Sequence, residues 1–94
     1  MNKYEAIVIF KADLPEAQLE QEYSKAEETI KKQEGKIEKS EKWGKKKLTY
    51  HIKKFREGFF LYLAFEAVPD KIKLLNEAFR LDNNILRAQI VRIG

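Results

Sequence analysis

The sequence predicts an α+β fold: four antiparallel strands in one sheet, with two helices packed on one of its faces. Three observations carry this. The runs 3–10 and 59–67 are apolar at both parities, as in strands buried in the middle of a sheet. Two one-sided stripes, Leu19-Tyr23-Ala26-Ile30 and Ile72-Leu75-Ala78-Phe79, have the spacing of amphipathic helices. Between the first stripe and the second apolar run, residues 36–56 carry nine Lys or Arg against two Glu, a local charge of +7 in a chain whose total is +4.

Residues 3–10 read as the first strand, with Ile7, Val8, Ile9 and Phe10 β-branched or aromatic and Glu5 polar. Asp13-Leu14-Pro15-Glu16 reads as a helix start. Asp13 can accept from the orphan backbone donors, Pro15 suits the first turn, and Glu16 complements the positive helix end. The helix should run from about 15 to 34, with Glu27–Lys31 and Glu28–Lys32 as i, i+4 pairs and Gly35 as a left-handed C-cap. From Ile37 the chain alternates weakly to Trp43. After Gly44, Leu48, Tyr50 and Ile52 alternate strictly with Lys47, Thr49, His51 and Lys53. This predicts one long strand bent or bulged at Gly44, a turn around Phe55–Gly58 and a strand over Phe59–Ala67. Val68-Pro69-Asp70 starts the second helix, Asp82-Asn83-Asn84 ends it, and Ile85–Ile93 is the last strand, with Arg87, Gln89 and Arg92 at polar positions.

Two right-handed crossovers in a β-α-β-β-α-β chain place both helices on one sheet face, the ferredoxin-like arrangement. The strands apolar on both faces are the central pair in the order 2-3-1-4, and the basic strand is an edge. The uncovered face then displays large apolar side chains, marking a binding surface or one covered by an oligomer partner. Lysines on an edge strand can simply prevent edge-to-edge aggregation. That device needs one or two charges. Lys45-Lys46-Lys47 makes both faces of the strand basic, so an anionic partner is the better account.

Ninety-four residues suggest a single domain over 1–94, compact in core. Without cysteine, neither a disulfide framework nor a thiolate metal site is possible. The first eleven residues lack the apolar run of a signal peptide, and no stretch has the length of a membrane span. His51 is the only histidine, which leaves no imidazole pair for metal binding or nucleophilic catalysis. Acylphosphatases share the size and topology but carry a Gly- and Arg-bearing anion loop after the first strand, where this chain has Lys11-Ala12-Asp13-Leu14-Pro15. No enzyme activity, cofactor, metal or small-molecule substrate is expected. A generic RNA-recognition-motif module is the alternative, with Tyr4, Phe60 and Tyr62 as stacking aromatics. Against it, Glu57-Gly58-Phe59-Phe60-Leu61 lacks that family's leading base and second glycine.

The chain as a whole resembles the bacterial small-subunit ribosomal protein six family. The resemblance rests on Tyr4-Glu5, on Trp43-Gly44-Lys45-Lys46-Lys47-Leu48-Thr49-Tyr50-His51-Ile52-Lys53-Lys54, on Gly58-Phe59-Phe60, and on Leu81-Asp82-Asn83-Asn84-Ile85-Leu86-Arg87. It implies a structural, RNA-binding component of the cytoplasmic ribosome. The family binds the central domain of small-subunit ribosomal RNA during assembly, as a heterodimer with small-subunit protein eighteen. The resemblance further implies RNA contact at Asn2, Lys3 and Tyr4 and near the last strand at Arg80, Arg87 and Arg92. Tyr4 would stack or hydrogen bond, unless the central strand buries it. Lys45, Lys46 and Lys47 form an additional basic surface, facing RNA or the protein partner. Family members often carry arginine at the second residue and near the last strand, where this chain has Asn2, Asp82 and Leu86. Many also have a charged tail beyond the last strand, where this chain ends at Gly94.

Overall fold

Strand β1 (Asn2–Lys11) lies at the centre of the sheet in the computed structural model, which describes residues 1–94. It pairs antiparallel with β3 (Phe55–Ala67) on one side and β4 (Ile85–Arg92) on the other. Strand β2 (Lys36–Ile52) pairs with β3, so the order is β2-β3-β1-β4 and the basic strand is an edge, as the sequence predicts. Helices α1 (Glu16–Lys32) and α2 (Pro69–Leu81) complete the ferredoxin-like order. Both apolar parities of β1 and β3 have a use. Tyr4, Ala6, Val8 and Phe10 meet Leu61, Leu63, Phe65 and Ala67 beneath the helices, while Ile7, Phe60 and Tyr62 line the face without helices. Leu19, Tyr23, Ala26 and Ile30 of α1 are buried on the inner side. Phe10 and Tyr23 pack edge to face, with centroids 5.5 Å apart.

The helix ends depart from the sequence reading. No side chain caps α1, so Asp13 does not take the orphan donors; Pro15 is the N-cap residue. At the other end the left-handed residue is Glu34 (φ 62°), not Gly35. Glu34 N–H donates to Lys31 and Gly35 N–H to Ile30, the paired bonds of a Schellman ending one residue earlier than expected. In α2, Leu75 and Phe79 are buried and Ile72 is half-buried, but Ala78 is exposed. The helix touches the sheet along a narrower stripe than its pattern suggests.

The hairpin turn lies at Lys53–Lys54, not at Phe55–Gly58, with Ile52 facing Phe55 across it. Both lysines have positive φ, 49° and 74°, the backbone of a tight two-residue hairpin turn usually built from Asn or Gly. The bulge expected near Gly44 is present: the register slips between Lys42 and Gly44, leaving Trp43 as the extra residue, and Gly44 has φ 84°. A similar slip leaves Glu38 unpaired. The strict alternation after Gly44 does not give a regular ladder. Between Lys47 and Ile52 the four residues 48–51 stand opposite Arg56 alone. Gly58 serves a different need, since a Cβ there would lie 2.5 Å from Ile9 Cγ2 and 2.9 Å from the Phe10 carbonyl oxygen. Its bare backbone lets β3 close onto β1.

One buried acid has no counterpart in the sequence reading. Glu22 of α1 is 7% exposed; it accepts from Asn84 Nδ2 at 2.9 Å, and its Oε1 has no partner. Asp82 accepts from the Asn84 N–H at 2.9 Å and pairs with Lys25 at 3.4 Å. Burial foremost, then a hydrogen bond with Asp82, raise the Glu22 carboxyl above its ordinary 4.5. For Asp82 burial also pushes upward. Hydrogen bonds from Glu22 and the Asn84 N–H, with Lys25, outweigh it and leave the group below 3.8. Through Glu22, Lys25, Asp82 and Asn84 the cluster ties α1 to the turn before β4.

Candidate nucleic-acid interface

The nine residues singled out from the sequence fall at two ends of the sheet. Asn2, Lys3 and Tyr4 open β1 beside Arg92, the cross-strand partner of Tyr4. Lys45 and Lys46 pair with Phe59 and Gly58, opposite the far end of β1. Six residues of strand separate Tyr4 from Phe10, roughly 20 Å at ~3.3 Å each. The N-terminal group and the lysine run are not one site.

The far end gathers more than the sequence shows. Lys53 at the hairpin turn lines one concavity with Arg80 and Arg87. Lys46 and Lys47 line another with Arg87, Ile9 and Phe60. Lys47, His51, Lys54 and Arg56 line a third on the outer edge. The irregular segment 48–52 and the turn therefore lean across the end of the sheet toward β4. This lean also accounts for Ile9, which is only 8% exposed despite lying on the helix-free face. Lys45, Lys46, Lys47, Lys53, Lys54, Arg56 and Arg87 take part in no ion pair; Arg80 pairs with Glu77 on its own helix at 2.5 Å. Uncompensated cations on an exposed surface are what a phosphate backbone selects.

The near part of the same strand is neutralised. Lys42 Nζ donates to Glu20 at 2.8 and 3.0 Å and lies 5.1 Å from the centre of the Tyr23 ring, and the hydrogen bond to Glu20 raises its pKa. Ser40 donates to Glu27 at 3.0 Å. Lys39 pairs with Glu41 at 3.3 Å. Of the three lysines before the bulge, Lys42 is paired from α1 and Lys39 within β2, and Lys36 has no acid partner.

The helix-free face carries an aromatic centre. Trp43, displaced by the bulge, stacks on Tyr62 with centroids 5.2 Å apart and planes 4° from parallel; Lys46 Nζ lies 5.0 Å from the indole centre. The indole N–H donates to Glu41 at 3.0 Å, which with the Lys39 contact lowers the Glu41 pKa. The Tyr62 hydroxyl donates to Glu5 at 2.5 Å, and that bond raises its pKa. Ile7, Gln89 and Val91 complete the surface around the pair. A Trp 41% exposed and a Val 45% exposed at one shallow depression make a surface suited to another macromolecule.

Tyr4 corrects the expectation. It is 5% exposed and packs on Phe65 at 5.7 Å beneath the helices, so its ring is not open to a base. Asn2, Lys3 and Arg92 keep positions at the surface; Arg92 Nε donates to the Gly94 carbonyl at 3.2 Å, and the Lys3 carbonyl accepts from Ile93. Sequence reasoning left out the Trp43–Tyr62 stack, and did not join Arg87 to the lysine run or to Lys53 at the hairpin tip. No helix is long and apolar enough to cross a membrane.

Residues 3–92 match the protein family described as Ribosomal protein S6. The chain is 34% identical over 92 residues to the small ribosomal subunit protein bS6 of Heliobacterium modesticaldum, spanning 98% of this chain and 96% of that one. To the protein of the same name from Symbiobacterium thermophilum it is 37% identical over 92 residues, spanning 98% and 97%. Among solved structures, the 30S ribosomal protein S6 of Thermotoga maritima superposes with a TM-score of 0.93 at 30% identity, over 98% of this chain and 87% of that chain.

Proposed function

The chain belongs to the ribosomal protein S6 family, structural proteins of the bacterial small ribosomal subunit, and from that premise we propose that it binds the central domain of small-subunit ribosomal RNA together with small-subunit protein eighteen during assembly. It acts as one domain over 1–94, in the cytoplasm, as a non-catalytic clamp. The observation that carries this reading is the set of seven basic side chains at the hairpin end that take part in no ion pair, with Glu57, opposite Lys47, as the one acid among them. RNA phosphates take the hairpin end, where Lys46, Lys47 and Arg87 line one concavity and Lys53, Arg80 and Arg87 the next, with Lys45 on the same strand over the Phe59 ring. Asn2, Lys3 and Arg92 make a second, smaller contact at the opposite end. The protein partner takes the apolar surface around Trp43 and Tyr62, where Ile7 and Val91 complete an apolar patch and the nearby charges, Glu5 and Glu41 against Lys39 and Lys46, balance.

The test is a titration of central-domain RNA with this protein, with and without protein eighteen, over a range of salt. If five or six phosphates are neutralised, log affinity falls against log salt with a slope of roughly −4 for single-stranded RNA. Affinity that ignores salt sinks the clamp. Binding that does not change when protein eighteen is added leaves an RNA-recognition module acting alone.

A further inference from the structure

We propose that the notch between the irregular hairpin segment and the sheet end takes a single unstacked nucleotide of RNA, gripping its base as well as its phosphate. This rests on the RNA-binding reading above and assigns it a chemical form.

The notch is about 410 Å³ and has an apolar floor of Ile9, Phe60 and Ile52. Its rim carries Lys46 and Lys47 from β2 and Arg87 from β4, residues forty positions apart in the chain, none of them ion-paired. Tyr50 also lines it, is 77% exposed and stacks on no other aromatic ring. Folding gives no reason for that exposure. A hairpin ladder that kept its register would hold Tyr50 against β3. Instead residues 48–51 have only Arg56 opposite them, and the ring is left free. A free aromatic face, an apolar floor and cations without ion pairs lining the same notch are the parts with which proteins hold single-stranded bases. A duplex offers its phosphates to such a surface but cannot offer a π-face. An acidic peptide would satisfy the cations and leave the floor and the ring without a use. The phosphate falls to Lys46, Lys47 and Arg87, while the base lies on Tyr50 over the floor.

The experiment uses the whole chain and two pentanucleotides, one fully abasic and one abasic except for a central 2-aminopurine. The base should tighten binding by about tenfold at low salt, in the range of one base stacking on an aromatic, and its fluorescence should be quenched. Tyr50→Ala should abolish both the gain and the quenching while the abasic strand still binds. Arg87→Gln should weaken both strands. Thermal melts of the two variants control for folding, since both positions are exposed. Equal affinity for the two strands overturns the notch and leaves RNA binding through phosphates intact. Failure of either strand to bind at low salt overturns RNA binding at this end altogether. Expulsion of the base by added protein eighteen assigns the notch to the protein partner and overturns the proposal too.

Discussion

On the near side of Gly44, the lysines of β2 find carboxylates: Lys39 meets Glu41 at 3.3 Å and Lys42 meets Glu20 at 2.8 Å. On the far side Lys45, Lys46, Lys47, Lys53, Lys54 and Arg56 meet none. The two halves belong to one strand-turn-strand unit, but residues 36–43 carry three Lys against two Glu and residues 45–56 six Lys or Arg and no acid; the near half is also held on α1, and the far half on no helix. The difference lies in what stands opposite. Glu20 and Glu27 project from α1 toward β2, and α1 ends its coverage at the bulge. A count of charges along the sequence shows the two Glu of the near half but not Glu20, which only the fold brings to Lys42.

The largest contrast should be in stability. Phe65→Ala, at a wholly buried position facing Ile37 of the near half, should cost about 3–5 kcal/mol in chemical denaturation. Tyr50→Ala in the far half should cost nearly nothing. A Phe65 loss below about 1 kcal/mol would show that the near half is not anchored as described. In RNA affinity the contrast should reverse. Neutralising Lys45, Lys46 and Lys47 to Gln should make the salt slope shallower by about 2, which is about a hundredfold at 0.1 M salt. The same change at Lys36, Lys39 and Lys42 should move affinity less than about threefold, because two of the three already have acids. If the two triple variants behave alike, the comparison fails.

Gly44 divides the halves, and its φ of 84° strains an ordinary side chain although nothing stands within 4 Å of the Cβ position. Gly44→Ala should therefore cost about 1–2 kcal/mol from backbone strain alone. A neutral result would mean that the bulge can move. The smallest effect tests the platform under the near half. Glu22, raised above 4.5, lowers stability as pH climbs from that value through its folded pKa. Asp82, lowered below 3.8, withdraws its contribution as pH falls through its own. Between them this pair favours a stability maximum near pH 4. Glu22→Gln keeps a donor for Asp82 without the charge, so it should gain about 1 kcal/mol at pH 7 and flatten the fall in stability above pH 4.5. An unchanged profile would show that Glu22 does not shape it.

Much of the fold was legible because its signals are local. Apolar runs at both parities marked the central strands, prolines marked both helix starts, and a strand-interior glycine marked the bulge. The rest depends on contacts between distant residues. Both parities of β1 are apolar, so nothing in the sequence says that Tyr4 faces the helices and Ile7 the open side. Lys53-Lys54 carries no turn chemistry, so the reading moved the turn to the nearest glycine. Glu22 does sit on the α1 stripe, three residues from Leu19 and four from Ala26, and could have been found by position; its charge argued otherwise. The joining of Lys46 to Arg87 requires the hairpin to lean across the sheet, which no spacing encodes.

The turn of two left-handed lysines has a kinetic consequence. Neither residue favours that backbone, and their like charges repel, so the turn cannot close by itself ahead of the strands it joins. Folding must be organised where α1 meets β1 and β3, and the hairpin end zips only after β3 is in place. Amides beyond Gly44 should then exchange with solvent by local opening, at far lower free energy than those of β1, whose protons wait for global unfolding. A tip that opens while the rest stays closed can fit itself to the path of an RNA strand without disturbing the sheet.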